Sequence, residues 1–301
     1  MANSSKKNIN GFLLLDKVIG VSSNKALQQV KGLYQAKKAG HTGSLDPLAC
    51  GMLPIAFGEA TKFSSHLLNA DKHYTFTAKL GVKTSSGDAE GEMIETAPVP
   101  NISQEQIERV LKDFQGEATQ IPPMYSALKH QGQPLYKLAR QGIEIERKSR
   151  TITLFQLSLT KFTNSEITCK VLCSKGTYIR SLAEDIAKAL GTVAHVTYLY
   201  RDWVSPFMQH KMIQFEELQT LCASELEHYL LPIETALDHF PTLKINPQQK
   251  QDLFHGKPIP WQKDTKKGVY LLVDEQHQFL GLGQISAESQ LKVKRLISTK
   301  A

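Results

Sequence analysis

The chain has 301 residues, 41% of them apolar and 22% charged, with a net charge of +7. That length exceeds what one core usually holds, so one large domain and one small domain are expected. The composition excludes a disordered tail protein, a collagen-like repeat and a coiled coil, and no apolar run approaches the roughly 20 residues that span a bilayer.

The opening, MANSSKKNINGFLLLDK, holds too brief an apolar stretch for a signal peptide, which predicts a cytoplasmic protein. Ser22 and Ser23 precede Ala26, Leu27, Val30, Leu33 and Tyr34, a helical stripe behind a capping residue. Residues 40–58, GHTGSLDPLACGMLPIAFG, carry four glycines and two prolines and read as a constrained loop in which any helix is short. HYTFTAKLGV predicts a strand with Tyr74, Phe76, Ala78 and Leu80 on one face. Ser103 and Gln106 make a capping-box pattern for a helix with Ile107, Val110, Leu111 and Phe114, ended by Gly116. TITLFQLSLTKF and ITCKVLCSKG form a pair of strands, the second with Ile167, Cys169, Val171 and Cys173 on one face. GTYIRSLAEDIAKALG is an amphipathic helix with Ile179, Leu182, Ile186 and Leu190 apolar and Gly191 as its stop. Strands and helices intermix without a βαβ rhythm, so the class is α+β. From about residue 246 a short helix, QQKQDLF, and a hairpin, VYLLVDEQHQFLGLGQIS, predict a compact, mostly β appendix. Cys50, Cys169, Cys173 and Cys222 have no metal-binding spacing and read as reduced core residues.

The charge is distributed in blocks. Residues 1–38 carry +6, 121–150 carry +4 and 246–301 carry +4, whereas 39–120 carry −5 and 151–245 carry −2. Three basic blocks around a mildly acidic body suit a polyanionic partner, although charge alone fits a solvated basic surface equally well.

Asp46 lies in the glycine-rich stretch, held toward an extended conformation by Pro47. A carboxylate there could be a nucleophile, a general base, a metal ligand or a turn residue, and the local pattern by itself favours the turn.

KAGHTGSLDPLACGMLPIAFGEATKF closely resembles the signature of the TruB family of tRNA pseudouridine synthases. GFLLLDKVIGVSS, KHYTFTAKLGVKTSSGDAEGE, IPPMYSALKHQGQPLYKLARQGIEIERKSR and CSKGTYIRSLAEDIAKALGTVAHVTYLYRDWVSPF follow in the family's order, so the likeness spans about residues 10–240. The resemblance implies a mixed, mainly antiparallel catalytic domain over residues 1–245 with an RNA-binding thumb inserted at about 121–150. It also implies a small PUA-like RNA-binding domain over 246–301. The implied reaction isomerises uridine 55 of the tRNA T-loop, breaking N1–C1′ and forming C5–C1′, and it needs neither cofactor nor metal.

By resemblance, Asp46 is the nucleophile, ionised at neutral pH without a partner base. Arg180 pairs with it and favours its anion. Tyr74 stacks on the target base, a safer role than proton acceptor for a phenol. Leu199 packs the uracil from the other side, and His41 inserts beside the extruded nucleotides. Tyr178, Asp88, Lys17 and Lys62 complete the implied substrate-binding set. In the thumb, Lys129, Lys137, Arg140, Arg147, Lys148 and Arg150 are the implied phosphate contacts, and Lys257, Lys263, Lys266 and Lys267 reach the acceptor stem. The implied partner is the tRNA T-arm, met by a monomer with no guide RNA and no membrane. Val18, Ser44, Cys50, Ser85 and Tyr200 depart from the family pattern, and none of these departures falls at Asp46, Tyr74, Arg180 or Leu199. Two other readings are a non-catalytic RNA-binding or tRNA-folding factor on the same fold, and a guide-RNA-dependent relative.

Overall fold

Sheets of nine and five strands organise the computed structural model, which describes residues 6–298. The chain begins with β1 (Gly11–Lys17), α1 (Ser23–Leu33), β2 (Ala39–His41), β3 (Cys50–Phe57), α2 (Ser64–Leu68) and β4 (Lys72–Leu80). A small hairpin of β5 (Val82–Thr84) and β6 (Met93–Thr96) precedes α3 (Gln104–Asp113) and β7 (Gly116–Gln120). A second small hairpin, β8 (Lys129–His130) and β9 (Gln133–Pro134), leads into α4 (Leu135–Ala139). Then come β10 (Arg150–Phe162), β11 (Glu166–Cys173), α5 (Ile179–Ala189), β12 (Ala194–Val204) and β13 (Ile213–Gln214). The nine-stranded sheet runs β13-β1-β3-β12-β4-β11-β10-β7, with β2 alongside β3. Most neighbours are antiparallel, and β1/β13 and β3/β12 are parallel.

The expected helices form where local signals are complete. The Ser22 side chain accepts the Lys25 N–H at the start of α1, and Ser103 and Gln106 close a capping box on α3. These helices and α5 cover one face of the sheet, where Val30, Leu111 and Ile186 meet Leu13, Phe76, Val171 and Val196. Each such side chain removed from water contributes about 1.5–3 kcal/mol, set against the entropy of ordering the chain.

The opposite face of β1 and β3 is covered differently. Phe12, Leu14 and Met52 pack against Phe63 and Phe207, and against Leu271, Phe279 and Leu282 of the second sheet. Two short helices, α6 (Phe215–Gln219) and α7 (Ala223–Glu227), precede that sheet in the chain. It is ordered β14-β16-β17-β18-β15: β14 (Thr242–Lys244), β15 (Ile259–Pro260), β16 (Gly268–Val273), β17 (Phe279–Ile285) and β18 (Gln290–Leu296). With α8 (Pro247–Phe254) it encloses its own core around Ile245, Leu253, Leu272 and Leu291. Among the described residues no helix is long and apolar enough to cross a membrane.

Two expectations are corrected. Residues 50–57 are a buried strand, not loop: β3 pairs with β1 along nearly its full length. Pro54 is tolerated because the side of β3 that carries its carbonyl is only partly paired. There β2 pairs with residues 55–57 and β12 with 50 and 51, and Thr42 N–H donates to the Pro54 carbonyl. The cysteines are all free, but Cys222 is exposed, capping α7 rather than filling the core.

Gly51 lies where β3 pairs with β12. It adopts φ +94°, and a Cβ there would collide with the Arg201 carbonyl oxygen. Gly51→Ala is therefore expected to lose about 2 kcal/mol or more of stability, read as a lower urea midpoint.

Candidate active site

The loop between β2 and β3 is tied down on both sides of Asp46. The Ser23 hydroxyl accepts the Leu45 N–H at 2.7 Å and donates to the Leu45 carbonyl at 2.9 Å. After Asp46, the Pro47 carbonyl accepts the Gly20 N–H at 2.8 Å and the Lys17 ammonium at 3.4 Å. The Asp46 carbonyl itself takes the Ala49 N–H. The turn that the local sequence pattern favours is therefore real, and it is made by the backbone, which leaves the Asp46 side chain free to point elsewhere.

It points at α5. One Asp46 carboxylate oxygen lies 2.8 Å from Arg180 Nη2. Arg180 is buried to 4% exposure in the first turn of α5, and its two terminal nitrogens are shared. Nη1 donates to the Ser86 carbonyl at 2.6 Å and sits 3.5 Å from Asp88, while Nη2 also donates to the Tyr125 carbonyl at 2.7 Å. Asp88 is buried, and its carboxylate accepts the Ser86 hydroxyl at 2.5 Å and the Glu90 N–H at 3.1 Å. The arginine thus joins the Asp46 loop, the segment after β5, the segment after β7 and α5 at one point.

No side chain caps α5; Gln120 holds its start instead. Its amide donates to the Tyr178 carbonyl at 3.0 Å and accepts the Tyr178 N–H at 2.8 Å. Gln120 is 58 residues away in the chain, which is why no local motif reveals it.

Asp46 and Arg180 line a cavity of about 550 Å³ with His41, Tyr74, Tyr178, Leu199 and Arg201 among its walls. Asp46 keeps 39% of its side-chain surface open to that cavity, yet protein encloses it, so burial raises its pKa. Arg180 opposes burial as a charge and a hydrogen-bond donor, Asp88 adds to the rise, and the net direction is upward. Burial also raises the Tyr74 phenol, with Arg201 opposing, so the hydroxyl stays protonated at neutral pH. Burial and the Arg201 charge lower His41, leaving a neutral imidazole whose Nδ1 is buried without a hydrogen-bond partner. The Ser126 hydroxyl, on the same cavity wall, is likewise buried and unpartnered. Among the described residues no group of three or more His, Cys, Asp or Glu side chains could hold a metal ion.

Residues 31–179 match the TruB family pseudouridylate synthase N-terminal domain. Residues 180–238 match the tRNA pseudouridylate synthase B C-terminal domain, and residues 241–297 the C-terminal domain of pseudouridine synthase II TruB. The tRNA pseudouridine synthase B of Nitrosococcus oceani is 48% identical over 298 residues, 98% of this chain and 97% of that protein. That of Coxiella burnetii is 46% identical over 299 residues, 98% of this chain and 97% of that protein. The chain belongs to the TruB family. Its fold is also that of a Cbf5-Nop10-Gar1 complex chain, at TM-score 0.71 and 24% identity, covering 95% of this chain and 84% of that one. A chain from the structure of H/ACA RNP bound to a substrate RNA containing 2′-deoxyuridine gives TM-score 0.71 at 21% identity, covering 96% of this chain and 86% of that one.

The TruB-type residues named from sequence fall into three groups. Asp46, Tyr74, Arg180, His41, Tyr178 and Leu199 line one cavity. Asp88 stands behind it, touching Arg180. Lys17 and Lys62, expected beside substrate phosphate, are placed otherwise. Lys17 is 1% exposed, and its ammonium donates to the Val18, Val21 and Pro47 carbonyls, bracing the Asp46 loop from inside; burial lowers its pKa to about 8. Lys62 faces the second sheet, donating to Glu59, the Leu296 carbonyl and Ser298. Sequence reasoning passed over Arg201 and Ser126, which sit in motif blocks, and Gln120, which just precedes one; none carries a spacing that separates it from its neighbours.

The ionisation of Asp46 can be read directly. Its carboxyl carbon is expected to titrate above the ordinary aspartate value by ¹³C NMR. Removing the Arg180 charge in Arg180→Gln should move that titration higher still, because the cation favours the anion.

Proposed function

We propose that the chain isomerises uridine 55 in the T-loop of tRNA to pseudouridine, with Asp46 as the nucleophile and without a guide RNA. The observation that carries this reading is the 2.8 Å Arg180–Asp46 pair opening onto a cavity walled by Tyr74 and Leu199. The name its relatives carry, tRNA pseudouridine synthase B, supplies the substrate class.

The target uridine leaves its stack, at a cost of a few kcal/mol, and enters the cavity between Tyr74 and Leu199. The Asp46 carboxylate forms a covalent adduct with the nucleotide, and the N1–C1′ bond breaks. The uracil turns in place, C5 bonds to C1′, the C5 proton leaves, N1 gains a proton and Asp46 is released. Nothing is oxidised or reduced. The ionised Arg180 keeps Asp46 reactive in a site where burial alone would favour the acid form. The neutral Tyr74 phenol supplies an aromatic face, and the neutral His41 fits insertion beside extruded bases better than charge recognition.

Residues 121–150 act as a thumb on the RNA. Leu135 and Leu138 are buried, so the segment is packed rather than a solvated basic tail. Lys129, Lys137, Arg140 and Lys148 project outward. Arg140 lies over the Tyr136 ring at 5.7 Å and Arg147 pairs with Glu144 at 3.2 Å. Arg150 lies over the Tyr178 ring at 5.6 Å, linking the thumb's end to the cavity.

Asp46→Asn should abolish pseudouridine formation while tRNA affinity stays within about threefold, since the change preserves shape and removes the nucleophile. Full turnover by that variant would sink the assignment. Replacing Lys137, Arg140 and Lys148 together by alanine should weaken tRNA binding. It should also lower the log–log salt slope by up to about 0.9 for each phosphate that is no longer neutralised, measured by filter binding across a salt series.

A further inference from the structure

Arg201 heads the largest fully buried side chains of the molecule, at 1% exposure. No ion pair among the described residues includes it; the arginines that pair with carboxylates are Arg147 and Arg180. A guanidinium stays charged, and burying it without a counter-ion is costly, so something must hold it there. Its Nε donates to the Met52 carbonyl at 2.7 Å and its Nη2 reaches the Gly43 carbonyl at 3.4 Å. These carbonyls belong to β3 and to the Asp46 loop.

Lys17, Lys72 and His41 each feel Arg201 as a repelling charge when protonated, so none of them compensates it. Tyr74 faces it differently. The two residues are direct cross-strand partners on β12 and β4, and both line the cavity. The guanidinium acts on the Tyr74 hydroxyl as a nearby cation; Cys173 and Asp46 are the other charge-bearing groups that bear on it. The backbone is shaped for this placement. Gly51, at φ +94°, lets β12 approach β3 where a Cβ would collide with the Arg201 carbonyl, and the β12–β4 ladder shifts register just after Arg201.

We propose that Arg201 is a positioning residue for Tyr74: anchored on the Gly43 and Met52 carbonyls, its guanidinium fixes the phenol oxygen beside the target base, and through that hydroxyl it stabilises the negative charge the uracil takes on as N1–C1′ breaks. The proposal rests on the reading that the cavity receives that base. A fixed cation inside the protein acts without the reorganisation that water would need, so its effect belongs to the chemical step rather than to tRNA affinity.

The test is a double-mutant cycle on the full chain with one unmodified tRNA, using Tyr74→Phe, Arg201→Lys, their combination, and single-turnover rates with enzyme in excess. Arg201→Lys keeps the charge but loses the planar fork, which guards against the unfolding that Arg201→Gln risks. Arg201→Lys is expected to slow turnover about tenfold with KM within about twofold, yet to change the rate less than about twofold in the Tyr74→Phe background. The Tyr74 ring ¹³Cζ resonance, assigned by its loss in Tyr74→Phe, should move in Arg201→Lys. Equal losses in both backgrounds, or an unmoved resonance, would overturn the proposal. Asp46→Asn run in parallel separates the two claims. Full activity there defeats the reading of the site, whereas an inert Asp46→Asn beside an additive cycle defeats Arg201 alone.

Discussion

Four segments of the chain meet at one guanidinium. Arg180 accommodates Asp46, Asp88 and the carbonyls of Ser86 and Tyr125 within 3.5 Å, and these acceptors come from well-separated parts of the sequence. Removed from water, such a group is costly unless carbonyls or carboxylates meet its donors. Folding therefore brings those segments to a common point or leaves a buried charge unsatisfied. The same contacts that satisfy Arg180 aim Asp46 at the cavity, seat the start of α5 and dock the segment leading into the thumb.

The carboxylate sits in a balance of opposed effects. Enclosure raises its pKa and strengthens every interaction in the cavity, while Arg180 favours the anion that the proposed chemistry requires. Lys17 contributes from beneath as a cation and as a brace on the Pro47 carbonyl. Around this centre, the Tyr74 and Leu199 walls are held by the β4–β12 ladder, in which Leu199 pairs with Phe76 and Arg201 with Tyr74. Rigid strands set the walls and a tethered loop supplies the carboxylate, a division that keeps the site preorganised.

Sequence signals located the parts that depend on local periodicity. Alternation in HYTFTAKL and ITCKVLC, and the capped stripes of α1 and α3, are properties of short windows, and those elements form as expected. β3 escaped because Gly51, Pro54 and the glycines flanking them signal a loop to any local reading, whereas its tolerance of Pro54 depends on where β2 and β12 stop. Lys17 and Lys62 mark the limit for charged residues. A lysine beside a motif looks exposed, and only the three-dimensional supply of carbonyls and of Glu59 turns them inward. The grouping of Asp46, Tyr74, Arg180, His41 and Leu199 came from motif resemblance rather than from periodicity. Arg201 and Gln120 act through partners far along the chain, so no window of sequence contains their purpose.

The central claim is that this chain, alone, rearranges a uridine in tRNA through one enclosed carboxylate. Conversion of uridine to pseudouridine replaces the C5–H bond with C5–C1′, so a tRNA transcript carrying tritium at uracil C5 reports it directly. Incubated with the purified chain and nothing else, such a tRNA should release tritium to water up to one equivalent, with pseudouridine found at the T-loop position. No release, or release without pseudouridine at that position, would contradict the account.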